Sequence, residues 1–252
     1  MNKMLPFLCL LIFTLLMIGW ITAKKSRDEV QQGSKAGFAV VELFTSEGCS
    51  SCPPADEAVA KLLAKNKANV FILAYHVDYW NRLGWTDPFS KADFSKRQTD
   101  YGLSFNLQSV YTPQVVVNGS VEFVGSDEEK LTDVVDQSLP GNAALQIMME
   151  IKRKGNHIEI IYQLKGNESN NQLLNFALVQ NEATVSVKKG ENGGRNLHHV
   201  NIVRELKTMD AGSNGTVSME IGDDISTQSL QIIAFSQEKK NLHISAALQK
   251  SL

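Results

Sequence analysis

The sequence predicts an α/β domain, a central mixed sheet with flanking helices, followed by an all-β sandwich domain. Three observations carry that expectation. Over residues 37–140, apolar runs of strand length alternate with segments of helical spacing. Over residues 141–252 the pattern turns almost purely strand-like, with Gly and Asn turns between short runs. Pro140-Gly141 stands between the two as a pair of structure breakers, and 252 residues suit two compact units.

The elements follow in order. Lys3 precedes an apolar run from Leu5 to Ile21 and a small residue, Ala23, so residues 1–23 read as a signal peptide or an N-terminal anchor. Residues 24–36 are polar and form a flexible lead-in. Phe38 to Phe44 is a nearly continuous apolar strand, interrupted by Glu42, as in a sheet covered on both faces. Thr45 to Gly48 turns the chain. Ala58, Val59, Leu62 and Leu63 share a helical face in Ala55 to Lys65, behind Pro53 and Pro54. Val70 to Tyr75 is the next strand, which implies a right-handed parallel crossover. Asp87-Pro88 predicts a cap and first turn of a helix running to Gln98. Asn118-Gly119 predicts a hairpin between Val115–Val117 and Val121–Val124. Ser126 with Glu129 reads as a capping box for a helix ending near Leu139. Beyond the boundary, strands are expected near 145–151, 157–164, 173–179, 184–187, 199–206, 216–221, 230–235 and 242–247.

Composition narrows the function. The formal net charge is −2, and basic residues cluster only at Lys24, Lys25 and Arg27 and at Lys152 to Lys154, so nucleic acid is not an expected partner. Of three cysteines, Cys9 lies in the leader. Cys49 and Cys52 therefore form the one possible pair after export, which is no disulfide framework. A cysteine reacts as thiolate, and a helix start lowers its pKa. Cys49 sits there, and Cys52, three residues on, can reach back to resolve a mixed disulfide. The hydroxyls of Ser50 and Ser51 are possible donors to the thiolate. A structural disulfide or half of a zinc site would also use this motif; the flanking strand and helix and the lack of a second C-x-x-C favour redox chemistry. The spacer leaves the direction of electron flow open.

Strand, C-x-x-C at a helix start, strand, helix, then Thr112-Pro113 leading into Val115-Val116-Val117-Asn118-Gly119 resembles the thioredoxin fold. The resemblance implies a cis peptide before Pro113, beside the cysteines, with backbone groups open to an extended substrate strand. Residues from about 38 to 250 also resemble a secreted thioredoxin-like family known as domain of unknown function 1223. The phrases that carry this run from Glu42 to Ala55 (ELFTSEGCSSCPPA), then His76-Val77-Asp78-Tyr79-Trp80, Leu83-Gly84-Trp85, Asp87-Pro88-Phe89, Tyr111-Thr112-Pro113-Gln114, Gly194-Arg195 and Val203-Arg204. Asn81 departs from it, standing where an acidic residue is expected.

Other residues admit two readings each. Parallel strands end on one edge, so His76 and Asp78 are expected near the turn that carries Cys49, either tuning the thiolate or satisfying a strand end. Thr112 borders the same place. Glu42 could carry a proton for the resolving thiol, although its position along the strand turns it to the other face. Tyr79, Trp80 and Trp85 could wall the site against a substrate or pack in the core. Arg195, His198, His199 and Arg204 could form a ligand site, an interface with the first domain, or an ordinary sheet edge.

The expected function is thiol-disulfide exchange with exported protein thiols and disulfides and a redox partner, using the Cys49-Cys52 pair and no organic cofactor. Membrane contact is expected only if the N-terminal segment stays uncleaved. One alternative is a copper(I) carrier with Cys49, Cys52 and His76 as ligands, although Met148 and Met149 fall away from them. Another is an interaction protein built on the sandwich, with a vestigial redox module.

Overall fold

A computed structural model describes residues 31–166, 171–225 and 229–252. The leader, with Cys9, and most of the lead-in lie outside the described residues. The chain is mostly β. Its strands are β1 (Gln31–Gln32), β2 (Ala39–Thr45), β3 (Val70–His76), β4 (Gln114–Val117), β5 (Val121–Val124), β6 (Leu145–Lys154), β7 (His157–Gly166), β8 (Gln172–Ser186), β9 (Asn196–Asp210), β10 (Asn214–Glu220), β11 (Leu230–Glu238) and β12 (Ile244–Ser251). Among the described residues the helices are α1 (Pro53–Ala64), α2 (Ala92–Ser104) and α3 (Glu128–Ser138), with a 3-10 turn at Asn81–Leu83.

The strands form two sheets. Eight lie in the order β12-β11-β8-β9-β3-β2-β4-β5 and four in the order β1-β6-β7-β10. β2 and β3 are parallel, with Leu43 opposite Ala74, and β4 and β5 extend that pair antiparallel. The larger sheet crosses Pro140-Gly141. β9 lies parallel to β3, with Ile202 opposite Ala74. There Asn201, at φ 49°, donates its side-chain amide to the Ile72 carbonyl at 3.1 Å and accepts from Gln231 at 3.1 Å. Sequence patterning cannot pair strands from different halves, and this join is the main feature it does not reveal.

Burial explains the apolar runs. Ala39, Val41 and Leu43 of β2 pack on Ala55, Ala58, Val59 and Leu62 of α1 and on Leu131 and Val135 of α3. Val40 and Phe44 face the other way, into Phe94 and Tyr101 of α2 and Ile233 and Phe235 of β11. A strand covered on both faces needs apolar residues at every position, and all of β2 is buried. The smaller sheet packs through Ile147, Met149, Ile158 and Ile160 on Phe176, Leu178, Ile232 and Leu248.

Glu42 is the polar exception on the α2 face. Arg97 of α2 meets it with two parallel contacts, Nε to Oε2 at 2.6 Å and Nη2 to Oε1 at 2.9 Å. The guanidinium carbon lies 5.2–5.5 Å from the ring centres of Tyr75, Tyr101 and Phe235. Burial disfavours its charge, but Glu42 outweighs that and holds Arg97 above its usual range. The pair pins α2 to the sheet.

Several boundaries differ from the sequence reading, each for a local reason. Gln31 and Gln32, placed in a flexible lead-in, pair with Met149 and Met148. The helix expected at Asp87 starts at Ala92, because the Asp87 carboxylate is engaged elsewhere. The cap of α3 is Asp127, which accepts from Lys130 N–H at 3.0 Å, rather than Ser126. The strands expected near 173–179 and 184–187 are one, since β8 keeps its ladder with β9 through the polar Gln180-Asn181-Glu182 stretch. β12 begins after Leu242, which sits at φ 61°.

The Asn118-Gly119 turn forms where predicted and also joins the two halves. Asn118 at φ 50° accepts Val40 N–H at 2.7 Å and donates to Phe38 O at 2.9 Å through its side chain, while its carbonyl accepts from Ile244 N–H. Gly119 has φ 63°, and a Cβ there would lie 1.9 Å from the Leu242 carbonyl oxygen. Gly119→Ala is therefore expected to destabilise the protein by at least about 2 kcal/mol, because backbone must move as well as adopt a strained φ. Urea denaturation measures it; a loss under about 0.5 kcal/mol, the scale of an ordinary surface change, would contradict the close approach.

Candidate functional site

The turn after β2 is held by its own backbone. Gly48 N–H donates to Ser46 Oγ at 3.1 Å, and Cys49 N–H to Ser46 O at 3.1 Å. Cys52 caps α1, its carbonyl accepting from Ala55 and Asp56 N–H. Pro53 and Pro54 occupy the first two helical positions, so two of the free N–H groups of a helix start are missing. Cys49 and Cys52 form a disulfide. The Ser51 hydroxyl lies 3.3 Å from Cys49 Sγ and can donate to it. Both cysteines have 0% exposure, although Ser50 and Ser51 between them are exposed.

Three segments close round this turn. Thr112-Pro113 is cis, and the Pro113 carbonyl accepts from Gly125 N–H at 2.9 Å. Gly125 is packed against Ala55 in the first turn of α1. Trp80 links the two loops: its Nε1 donates to Thr112 Oγ1 at 2.8 Å, and a Cβ on Gly48 would lie 3.0 Å from the Trp80 Cβ. Trp85 donates to Glu47 Oε2 at 2.6 Å. The third segment is the β8–β9 connection. Asn192 donates its amide to Glu47 O and Cys49 O, both at 2.9 Å, and Glu191 accepts Ser50 N–H at 3.0 Å.

Behind the turn lies a buried polar cluster. His199 of β9 places Nε2 3.3 Å from Glu47 Oε1 and Nδ1 3.8 Å from Asp56 Oδ1. Burial would lower its pKa, but the carboxylates of Asp56 and Glu47 outweigh it and the imidazole is pushed up to about 10. Asp56 also accepts from Thr45 Oγ1 at 3.3 Å. His76 stands edge-on to His199, ring centres 4.8 Å apart, and its Nδ1 meets Asp87 Oδ2 at 2.7 Å. That carboxylate oxygen takes Glu47 N–H at 2.8 Å, and the other oxygen takes Phe89 N–H at 2.9 Å. Burial opposes ionisation of Asp87, yet His76 and the two amides hold its pKa below the usual value.

The structure thus brings Cys49, Cys52, Thr112, Pro113, Trp80 and Trp85 together, with His76 behind them through Asp87 and Glu47. His199 and Arg195 join them from the second half of the chain, whereas Glu42, Asp78, Tyr79, His198 and Arg204 do not. Glu42 faces α2 and is committed to Arg97, so it is not turned toward the resolving cysteine. Asp78 serves the start of α2, accepting from the Ser95 hydroxyl at 2.5 Å, and Tyr79 donates to Gln98 of the same helix at 3.1 Å. His198 is exposed and pairs with Glu182, while Arg204 stacks on Phe89. Glu47, Asp56, Glu191 and Asn192 have no signal at the sequence level beyond the closeness of Glu47 and Asp56 to the cysteines. Asn192 lies in a polar Gly-rich stretch that reads as an ordinary turn. Among the described residues no three His, Cys, Asp or Glu side chains are grouped to hold a metal ion, so Cys49, Cys52 and His76 do not form such a set.

The family model described as "Protein of unknown function (DUF1223)" matches residues 40–237, which include every residue of this site. The chain belongs to the DUF1223 family. This DUF1223 protein is similar to a crystal structure from Agrobacterium tumefaciens solved by the Northeast Structural Genomics Consortium, with 30% identity and a TM-score of 0.62, over 86% of this chain and 95% of that one. It also resembles HBP35 of Porphyromonas gingivalis in fold, at 18% identity and a TM-score of 0.59, over 87% and 76% of the two chains. No curated protein matches it. No helix among the described residues is long and apolar enough to cross a membrane.

The His199 ion pairs give a pH signature. A folded pKa raised from 6.5 to about 10 contributes stability that is complete below pH 6.5 and lost as pH rises through 10. Urea unfolding across that range is expected to show falling stability in the wild type and a flatter profile in His199→Gln. At pH 6.5 the variant should be weaker by about 3 kcal/mol, because two buried carboxylates lose their partner. An unchanged pH slope would remove His199 as the titrating group.

Proposed function

We propose that this DUF1223 protein is a thioredoxin-like thiol-disulfide exchange protein acting outside the cytoplasm. The observation that carries the reading is the Cys49-Cys52 disulfide at the cap of α1 with cis Thr112-Pro113 linked to its turn through Trp80. The order β3-β2-β4-β5, with the C-x-x-C turn after the first parallel strand and helices on both faces, supports the thioredoxin-like part of it. The later strands, a smaller sheet packed on β8, β11 and β12, support a β-sandwich as the second unit. The Lys3-led apolar segment supports export.

The exchange balances as follows. A substrate thiolate attacks Cys49 Sγ, the bond to Cys52 breaks, and Cys52 leaves as a thiolate that takes up a proton. A second substrate thiolate then attacks the substrate's own sulfur in the mixed disulfide. Cys49 departs as a thiolate, for which the Ser51 hydroxyl is a placed donor. The substrate leaves with a disulfide, two electrons poorer, and the reduced pair passes those electrons to the disulfide of a redox partner. Run backward, the same steps reduce a substrate.

Cys52→Ser should trap the intermediate, because a bound substrate can no longer be released by the resolving thiol. Protein recovered from its native compartment under acid quench is expected to carry reductant-sensitive adducts on Cys49, and Cys49→Ser is expected to carry none. Absence of adducts, together with a wild-type protein that neither oxidises nor reduces a model disulfide protein, would overturn the exchange reading.

A further inference from the structure

A disulfide with both cysteines at 0% exposure cannot meet a substrate sulfur as it stands. In-line attack at Cys49 needs an open approach along the S–S axis. Of the segments that close the turn, one comes from the second half of the chain: residues 188–195, at the tip of the β8–β9 hairpin. Its closure is local and polar: Val187 N–H to Arg195 O and Gly194 N–H to Val187 O, both at 2.9 Å, with Gly190 at φ 74° and Gly194 at φ 86°. No residue of Lys188-Lys189-Gly190-Glu191-Asn192-Gly193-Gly194-Arg195 is apolar beyond glycine. Every residue of it is exposed except one. Asn192 is fully buried, and its amide holds the carbonyls of Glu47 and Cys49. Glu191 adds its carboxylate to Ser50 N–H, Arg195 fixes Asn192 Oδ1 at 3.0 Å, and a Cβ on Gly190 would touch that of Trp85 at 3.2 Å.

We propose that this loop is a lid on the Cys49-Cys52 disulfide, latched by Asn192 and Glu191, and that exchange requires its release. The proposal rests on the reading of the pair as reactive. The latch is made of groups water can replace, and the loop buries no apolar side chain, so release exposes little that resists hydration. The two positive-φ glycines can absorb the backbone change at each end of the tip. His199, in contrast, stays as an anchor at the root of β9, so the lid lifts from a fixed base. A substrate strand that offers its own donor to the Cys49 carbonyl and its own acceptor to Ser50 N–H replaces two of the three latch contacts. The backbone N–H and C=O of an extended peptide beside its cysteine meet both requirements.

Dithiothreitol as the probe separates the lid from the protein-exchange reading. Reduction of the disulfide is followed by alkylation and mass measurement in wild type, Glu191→Ala and Asn192→Ala. If access is limited by the lid, the reduction rate scales with the open population, and Asn192→Ala is expected to react about tenfold faster or more, Glu191→Ala about threefold. Glu191 is exposed and its variant tests the latch even if Asn192→Ala fails to fold. Rates within about twofold of wild type in the folded variants would overturn the lid. Faster reduction with no adducts in the Cys52→Ser variant would keep the lid and sink the exchange function; equal rates with adducts present would do the reverse.

Discussion

A buried histidine set between two carboxylates joins the halves of this protein. His199 stands on β9 between the carboxylates of Glu47, in the Cys turn, and Asp56, in the first turn of α1. An isolated buried imidazolium would give up its proton; the two carboxylates beside His199 raise its pKa instead. The contact lies where the eight-stranded sheet continues from β3 into β9. Once β9 is placed by Asn201 on the β3 backbone and by His199 on the turn, the β8–β9 tip falls over Cys49 without further design.

The two faces of β2 divide the work. On one, Ala39, Val41 and Leu43 seat α1, whose cap is Cys52, so apolar packing sets where the disulfide stands. On the other, Arg97 and Glu42 fix α2, and through Gln98 and Ser95 the same helix holds Tyr79 and Asp78. Trp80, between these residues and the cis Thr112-Pro113 bond, couples that scaffold to the turn. A chain of directed contacts thus runs from each face to the cysteines, and rigidity of this kind holds the Cys49-Cys52 turn in one geometry.

What was legible in the sequence is what local rules determine. Phe38 to Phe44 is continuously apolar because it is covered twice. Two prolines mark the start of α1, and Asn118-Gly119 marks a hairpin, since each follows from backbone chemistry within a few residues. The C-x-x-C pair could be named as a candidate site from its place at a helix start, whereas Thr112-Pro113 is named only through the family resemblance. Glu42 and Asp87 misled because a polar residue in a strand or before a proline has more than one use, and the use is chosen by distant partners, Arg97 and His76. Glu47 and Asp56 come from one stretch and Glu191, Asn192 and His199 from another, well over a hundred residues on. Only the pairing of β3 with β9 brings them together, and no periodicity announces it.

Whether Cys49-Cys52 is a reactive couple, as proposed, or a staple is decided by its equilibrium with a thiol buffer. The protein is incubated in graded mixtures of reduced and oxidised dithiothreitol or glutathione, quenched with acid, alkylated and weighed, with circular dichroism read on the same samples. The account predicts one two-electron transition in which both cysteines convert together, at a potential above about −300 mV, with the fold intact on either side. A pair that stays oxidised well below that value, or whose reduction unfolds the chain, would contradict it.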